Sequence, residues 1–153
     1  MMNKNTLIAI VAAVTCVSFF LPWISTAANT SPLDLVRVPE LLGSLPSELL
    51  VAFYLFVMTY LFFAIVAILG PIEELSPKFA ILAGVCPFIL SFVGFAKIQS
   101  VSQGMVTMNS IPFSEFGIGV VLYFVGSAAI AVLGVMMMIE KSRTKVIAGR
   151  VVG

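Results

Sequence analysis

Four apolar runs divide the chain, at residues 6–24, 49–69, 79–96 and 116–139, and none contains Asp, Glu, Lys, Arg or His. Each approaches the ~20 residues that carry a helix across ~30 Å of hydrocarbon. Backbone groups surrounded by lipid must be satisfied within their own segment, so each run predicts a helix. The predicted fold class is all-α: a polytopic membrane protein whose four transmembrane helices form one bundle within a single domain, residues 1–153, with residues 141–153 as a cytoplasmic tail.

The residues between the runs agree with this. Gly70-Pro71 closes the second run, because proline cannot continue a helix and glycine relaxes its end. Ser76-Pro77 opens the third, with serine as N-cap and proline at the first helical position. Ser47-Glu48 opens the second run and Ser114-Glu115 the fourth, each with a carboxylate in the first turn where the helix dipole favours it. Ser31-Pro32-Leu33-Asp34 predicts a short helix in the first connection, and Pro39-Glu40-Leu41-Leu42 a second piece. Leu33, Leu35, Val36, Val38, Leu41, Leu42 and Leu45 make this a short amphipathic segment that lies on the bilayer or caps the bundle. The polar residues 99–110 predict a mobile loop.

Basic residues set the orientation. Lys4, Lys78, Lys141, Arg143, Lys145 and Arg150 fall on one side, and Arg37 and Lys97 on the other. Both termini are therefore expected in the cytoplasm, with the first and third connections outside. Residues 1–28 also read as a signal peptide, with Lys4, an apolar stretch and Ser25-Thr-Ala-Ala28. The run is long for that purpose, and a membrane helix is the preferred expectation.

Composition strengthens the membrane assignment. Of 153 residues, 61% are hydrophobic and 10% charged, where a soluble domain carries about 25% charged residues. Mean hydropathy is +1.17. A net charge of +1 without a basic patch predicts no nucleic-acid partner. Histidine is absent, and Cys16 and Cys86 form no CxxC, so neither a metal nor a cofactor is expected. All seven acids lie in connections or at helix ends, which argues against a proton relay, an ion-coupled carrier or a membrane-embedded enzyme.

Some residues within the runs stand out. Ala9 and Ala13, Ala80 and Gly84, and Ser127 and Ala131 recur four apart and suit close helix packing. Pro87 predicts a kink in the third helix. Trp23 is expected as an anchor at the outer interface. Phe53, Tyr54, Phe56, Tyr60, Phe62 and Phe63 crowd the second helix and suit lipid, a pigment, a quinone or another subunit. The apolar end of the tail, residues 146–153, suits docking on a partner as an added strand.

Phe19-Phe-Leu-Pro-Trp23 followed by Ser31-Pro-Leu-Asp-Leu35 resembles small bacterial four-helix membrane proteins. That resemblance implies residence in a bacterial inner membrane. The topology also resembles the claudin and PMP22 tetraspan group, without that group's Trp-Leu-Trp motif and cysteine pair in the outer loop. Neither resemblance carries over a site residue. The expected function is a non-enzymatic subunit that packs against other membrane proteins, with lipids as its surroundings, and assembles or stabilises a complex. The alternatives are an immunity or exclusion factor against a membrane toxin, and a carrier of lipid or neutral solute with a cavity lined by Thr15, Ser18, Thr59, Ser91 or Ser127.

Overall fold

A computed structural model describes residues 3–24, 29–37, 47–72, 75–101 and 116–151. Regular structure among these residues is helical: α1 (Lys4–Val17) with a 3-10 turn (Ser18–Phe20), α2 (Pro32–Arg37), α3 (Ser47–Leu69), α4 (Pro77–Val101) and α5 (Ile118–Val151). Three stretches are long and apolar enough to cross a membrane: Leu50–Leu69, Pro77–Gly94 and Ile118–Thr144. These mark a membrane protein. The first apolar helix, Lys4–Phe20, is shorter.

The four apolar helices form a ring. Helix α1 packs on α3 and α5, and α4 packs on the same two from the other side. The inward face of each helix follows three- and four-residue spacing. It comprises Ile8, Ala12 and Thr15 on α1, Thr59, Tyr60, Phe63 and Val66 on α3, Ala80, Ala83 and Pro87 on α4, and Tyr123, Ser127 and Ile130 on α5. The outward faces are apolar as well, with Ile68, Phe92 and Val125 among the most exposed side chains. Lipid accepts such a surface, where water would not.

Several helix ends differ from the sequence reading. The first helix stops at Phe20 rather than Ile24. Pro22 cannot continue it, and the next backbone groups are used elsewhere: the Trp23 amide donates to the Thr30 carbonyl at 2.9 Å, and Ile24 bridges to both Thr30 and Phe116. The same bridge holds Phe116 out of the last helix, which starts at Ile118. Helix α4 continues to Val101, into the segment expected to be a loop. Helix α5 continues to Val151, through most of the expected tail. There the Ser142 and Thr144 hydroxyls bond back to the carbonyls of Met138 and Glu140 at 3.0 Å, the way Ser and Thr satisfy their side chains within a helix. Ser25 to Ala28, Pro39 to Leu42, residues 102–115 and the expected Ser114-Glu115 helix start lie outside the described residues.

Helix α2 begins as its sequence predicts. The Ser31 amide and hydroxyl donate to Asp34 Oδ2 at 2.9 and 2.6 Å, and the Asp34 amide donates to Ser31 Oγ at 3.2 Å. This reciprocal cap satisfies the first orphan amides of the helix. Ser31 and Pro32 are buried, and α2 packs against the 3-10 turn at the end of α1.

Candidate functional site

The end of the bundle that holds Trp23 centres on Tyr123. Its ring lies 5.0 Å from Trp23, 5.2 Å from Phe56, 5.3 Å from Tyr60 and 5.8 Å from Phe63, centroid to centroid. Most of these pairs are edge-on or tilted, the arrangements that aromatic quadrupoles favour. The aromatics of the second helix therefore divide. Phe56, Tyr60 and Phe63 turn into the bundle, Phe62 meets Phe79 of α4, and Tyr54 faces outward.

Hydroxyls thread this aromatic cluster. Thr59 Oγ1 donates to the Phe56 carbonyl at 2.7 Å and lies 2.6 Å from the Tyr123 hydroxyl. Ser18 Oγ donates to the Thr15 carbonyl at 2.6 Å and lies 3.1 Å from the Tyr60 hydroxyl. Thr59 and Ser18 each have one proton, and a backbone carbonyl takes it. Both tyrosines must then donate. Thr15 and Ser127 donate to the carbonyls of Val11 and Tyr123, at 2.8 and 2.5 Å. Among the described residues no buried side-chain polar atom lacks a partner. Four of the five hydroxyls expected to line a solute cavity are thus engaged with backbone or tyrosine, and Ser91 is half-buried. These hydrogen bonds tie the end of α1 to α3, and α3 to α5.

The Trp23 ring, expected as an interface anchor, packs toward the bundle centre. Its indole Nε1 donates to the Ser18 carbonyl at 3.0 Å, and its ring packs on Phe56 and Tyr123. The chain on either side is tied to the start of α5. The Gly117 amide donates to Trp23 O at 2.9 Å and the Gly119 amide to Pro22 O at 3.0 Å. Phe-Leu-Pro-Trp therefore works as a plug: proline ends the helix, tryptophan fills the opening, and the carbonyls hold α5.

The small-residue pairs separate on the structure. Ala80, Gly84, Ser127 and Ala131 meet in the α4–α5 seam, where a Cβ on Gly84 would sit 2.4 Å from the Ala131 nitrogen and 2.6 Å from the Ser127 carbonyl oxygen. Ala9 is buried against Gly70, but Ala13 points outward from the bundle. Pro87 is fully buried within α4, which stays a single helix through it. Cys16 and Cys86 are free, half-buried thiols. Sequence reasoning missed Tyr123 and Gly126, whose missing Cβ makes room for Thr15 Oγ1 of α1. The signal was the run Gly119, Tyr123, Ser127, Ile130 and Gly134, which marks one face of α5 at helical spacing.

A second polar region lies at the other end. Lys4 of α1 forms an ion pair with Glu140 of α5. Beside it opens a cleft of about 420 Å³ lined in part by Asn3, Asn5, Lys141 and Thr144. A neighbouring cleft of about 260 Å³ is lined by Ser76, Pro77, Lys78, Met138, Lys141 and Ser142. No group of three or more His, Cys, Asp or Glu positioned for a metal ion occurs among the described residues.

No protein-family model matches the chain, and neither does any curated protein or solved structure. The tetraspan resemblance therefore transfers no role to any residue.

Proposed function

We propose that the chain crosses the bilayer four times with both ends in the cytoplasm, and acts as a non-enzymatic subunit that packs against other membrane proteins to assemble or stabilise a complex. The fourth crossing is supported by the way α1 lies along α5. It begins at the Lys4–Glu140 pair and ends at the plug on Gly117 and Gly119, so it flanks the apolar length of α5 from end to end. Its 14 α-helical and 3 3-10 residues reach about 27 Å, close to the ~30 Å of hydrocarbon. The cytoplasmic placement rests on the gathering of Lys4, Lys78, Lys141 and Arg143 at one end. The resemblance of Phe19-Phe-Leu-Pro-Trp23 to small bacterial membrane proteins favours an inner membrane.

The observation that carries the subunit role is the closed interior. The buried hydroxyls are satisfied within the bundle, so recognition falls to its outer faces. Helix α1 offers the face best suited to a helix of another protein. Exposed Ile10, Val14 and Val17 surround exposed Ala13, and a small residue among β-branched ones lets backbones approach closely.

A tagged full chain at native expression, purified in mild detergent and read by mass spectrometry, tests this role. Stoichiometric membrane-protein partners are expected. A photo-crosslinking residue at Ala13 should capture one of them, and one at Phe92 on α4 should not. A lone monomer in mild detergent with no crosslink at Ala13 contradicts the role.

A further inference from the structure

The smaller inner cleft joins two chemistries in one place. Lys78 opens α4 and Lys141 lies on α5, and both line the cleft beside Met138. Among the described residues no acid lines it and neither lysine forms an ion pair. The Glu140 carboxylate, which lines the larger cleft together with Lys141, is engaged by Lys4. Two cations therefore face one opening with no described counter-charge.

Below the cations the surface turns apolar along both helices. On α4 the stripe from Lys78 continues through Leu82, Val85 and Ile89, which are 53%, 39% and 56% exposed. On α5 exposed Met138 and Val135 follow Lys141 towards the apolar span, at 43% and 41%. The α4 spacings of four, three and four keep its stripe on one face, and the α5 steps of three wind gradually around that helix. A charged notch above two apolar tracks matches a molecule with an anionic head and two hydrocarbon chains.

We propose that this end of the α4–α5 seam is a binding site for an anionic phospholipid of the cytoplasmic leaflet. Its phosphate lies between Lys78 and Lys141, and its acyl chains lie along the two outward stripes. The Ser142 hydroxyl donates to the Met138 carbonyl, so it has no proton for the phosphate, and the lysine ammonium groups supply the recognition. The proposal rests on the bilayer placement above, and it adds a specific lipid at a specific seam.

The test measures lipid binding to the full chain purified in mild detergent, by native mass spectrometry and thermal shift. The protein is first shown to stay in membranes after an alkaline wash, which checks the bilayer placement separately. Phosphatidylglycerol should raise the melting temperature and remain bound, whereas phosphatidylcholine should not. The Lys78→Gln/Lys141→Gln variant should bind phosphatidylglycerol about 30-fold more weakly, since a surface cation near an anionic lipid contributes about 1 kcal/mol. Each single variant should lose about 5-fold on the same basis, and they carry the test if the double variant does not fold. Arg37→Gln removes a charge at the opposite end and should leave binding unchanged. Equal binding of the two lipids, or full binding by the folded lysine variants, overturns the site. A matching shift from inorganic phosphate, without lipid retention, overturns the lipid as its occupant. A protein released by the alkaline wash overturns the bilayer placement itself.

Discussion

Tyr123 joins three parts of the bundle: its ring meets the Trp23 plug, its hydroxyl meets Thr59 across the ring of helices, and its carbonyl holds Ser127. These contacts differ in weight. Tyr123→Phe removes one interhelical hydrogen bond, worth about 0.6 kcal/mol in membrane proteins. Tyr123→Ala also removes a buried ring, at a cost of about 3–5 kcal/mol. Thermal unfolding in detergent should show a small loss for the first and a large one for the second. Comparable losses would mean that the hydroxyl, not the ring, holds the centre. Gly84 gives a second contrast. A side chain there meets the α5 backbone, so Gly84→Val should cost about 1–3 kcal/mol by forcing the seam apart. Gly94, on the same helix, has nothing within 4 Å of an added Cβ. Gly94→Ala should leave the melting temperature unchanged or slightly raised, because alanine favours helix. The Gly84 contact was legible, since Ala80-Gly84 and Ser127-Ala131 carry the close-packing spacing. The inward turn of Trp23 was not, because a tryptophan after a helix suits an interface equally well until its neighbours are known.

Helix ends were legible where local chemistry alone decides them. Ser76-Pro77 starts α4, Gly70 follows α3, and Ser31 with Asp34 caps α2. Ends decided by distant backbone were not. Nothing near Trp23 reveals that Thr30 and Gly117 will claim its amide and carbonyl. Nor does a basic stretch reveal whether α5 stops at the bilayer or continues as a 34-residue helix. The α2 cap makes a pH prediction. Hydrogen bonds from the Ser31 hydroxyl and amide, then the Arg37 charge, hold the Asp34 carboxyl below its ordinary value. A depressed carboxyl stabilises the folded helix above its unfolded pKa, and that contribution fades as pH falls through the folded one. The cap should thus be intact at neutral pH and lost only below about pH 4. The Ser31 amide resonance followed against pH checks this. A midpoint above pH 4 would contradict the cap. Ser31→Ala should loosen α2 by about 1 kcal/mol, read as faster amide exchange in residues 32–37.

At the scale of the molecule, apolar run length identifies the class but not the arrangement. Core-facing and lipid-facing side chains are both apolar, so the usual inside-to-outside contrast of a soluble helix is missing. The inward faces are marked instead by hydroxyls, small residues and rings, such as Thr15, Gly84 and Tyr123. The first helix is the element on which the topology turns. If α1 crosses, the Lys4–Glu140 pair and the Trp23 plug lie on opposite sides of the bilayer. The most direct measurement places single cysteines on either side of α1, at Asn3 beside the ion pair and at Asn29 just beyond the plug, in a chain with Cys16 and Cys86 replaced by alanine. Intact cells are treated with a membrane-impermeant maleimide. The account predicts labelling at residue 29 from outside, and at residue 3 only after permeabilisation. Labelling of both from the same side would contradict the four-crossing bundle.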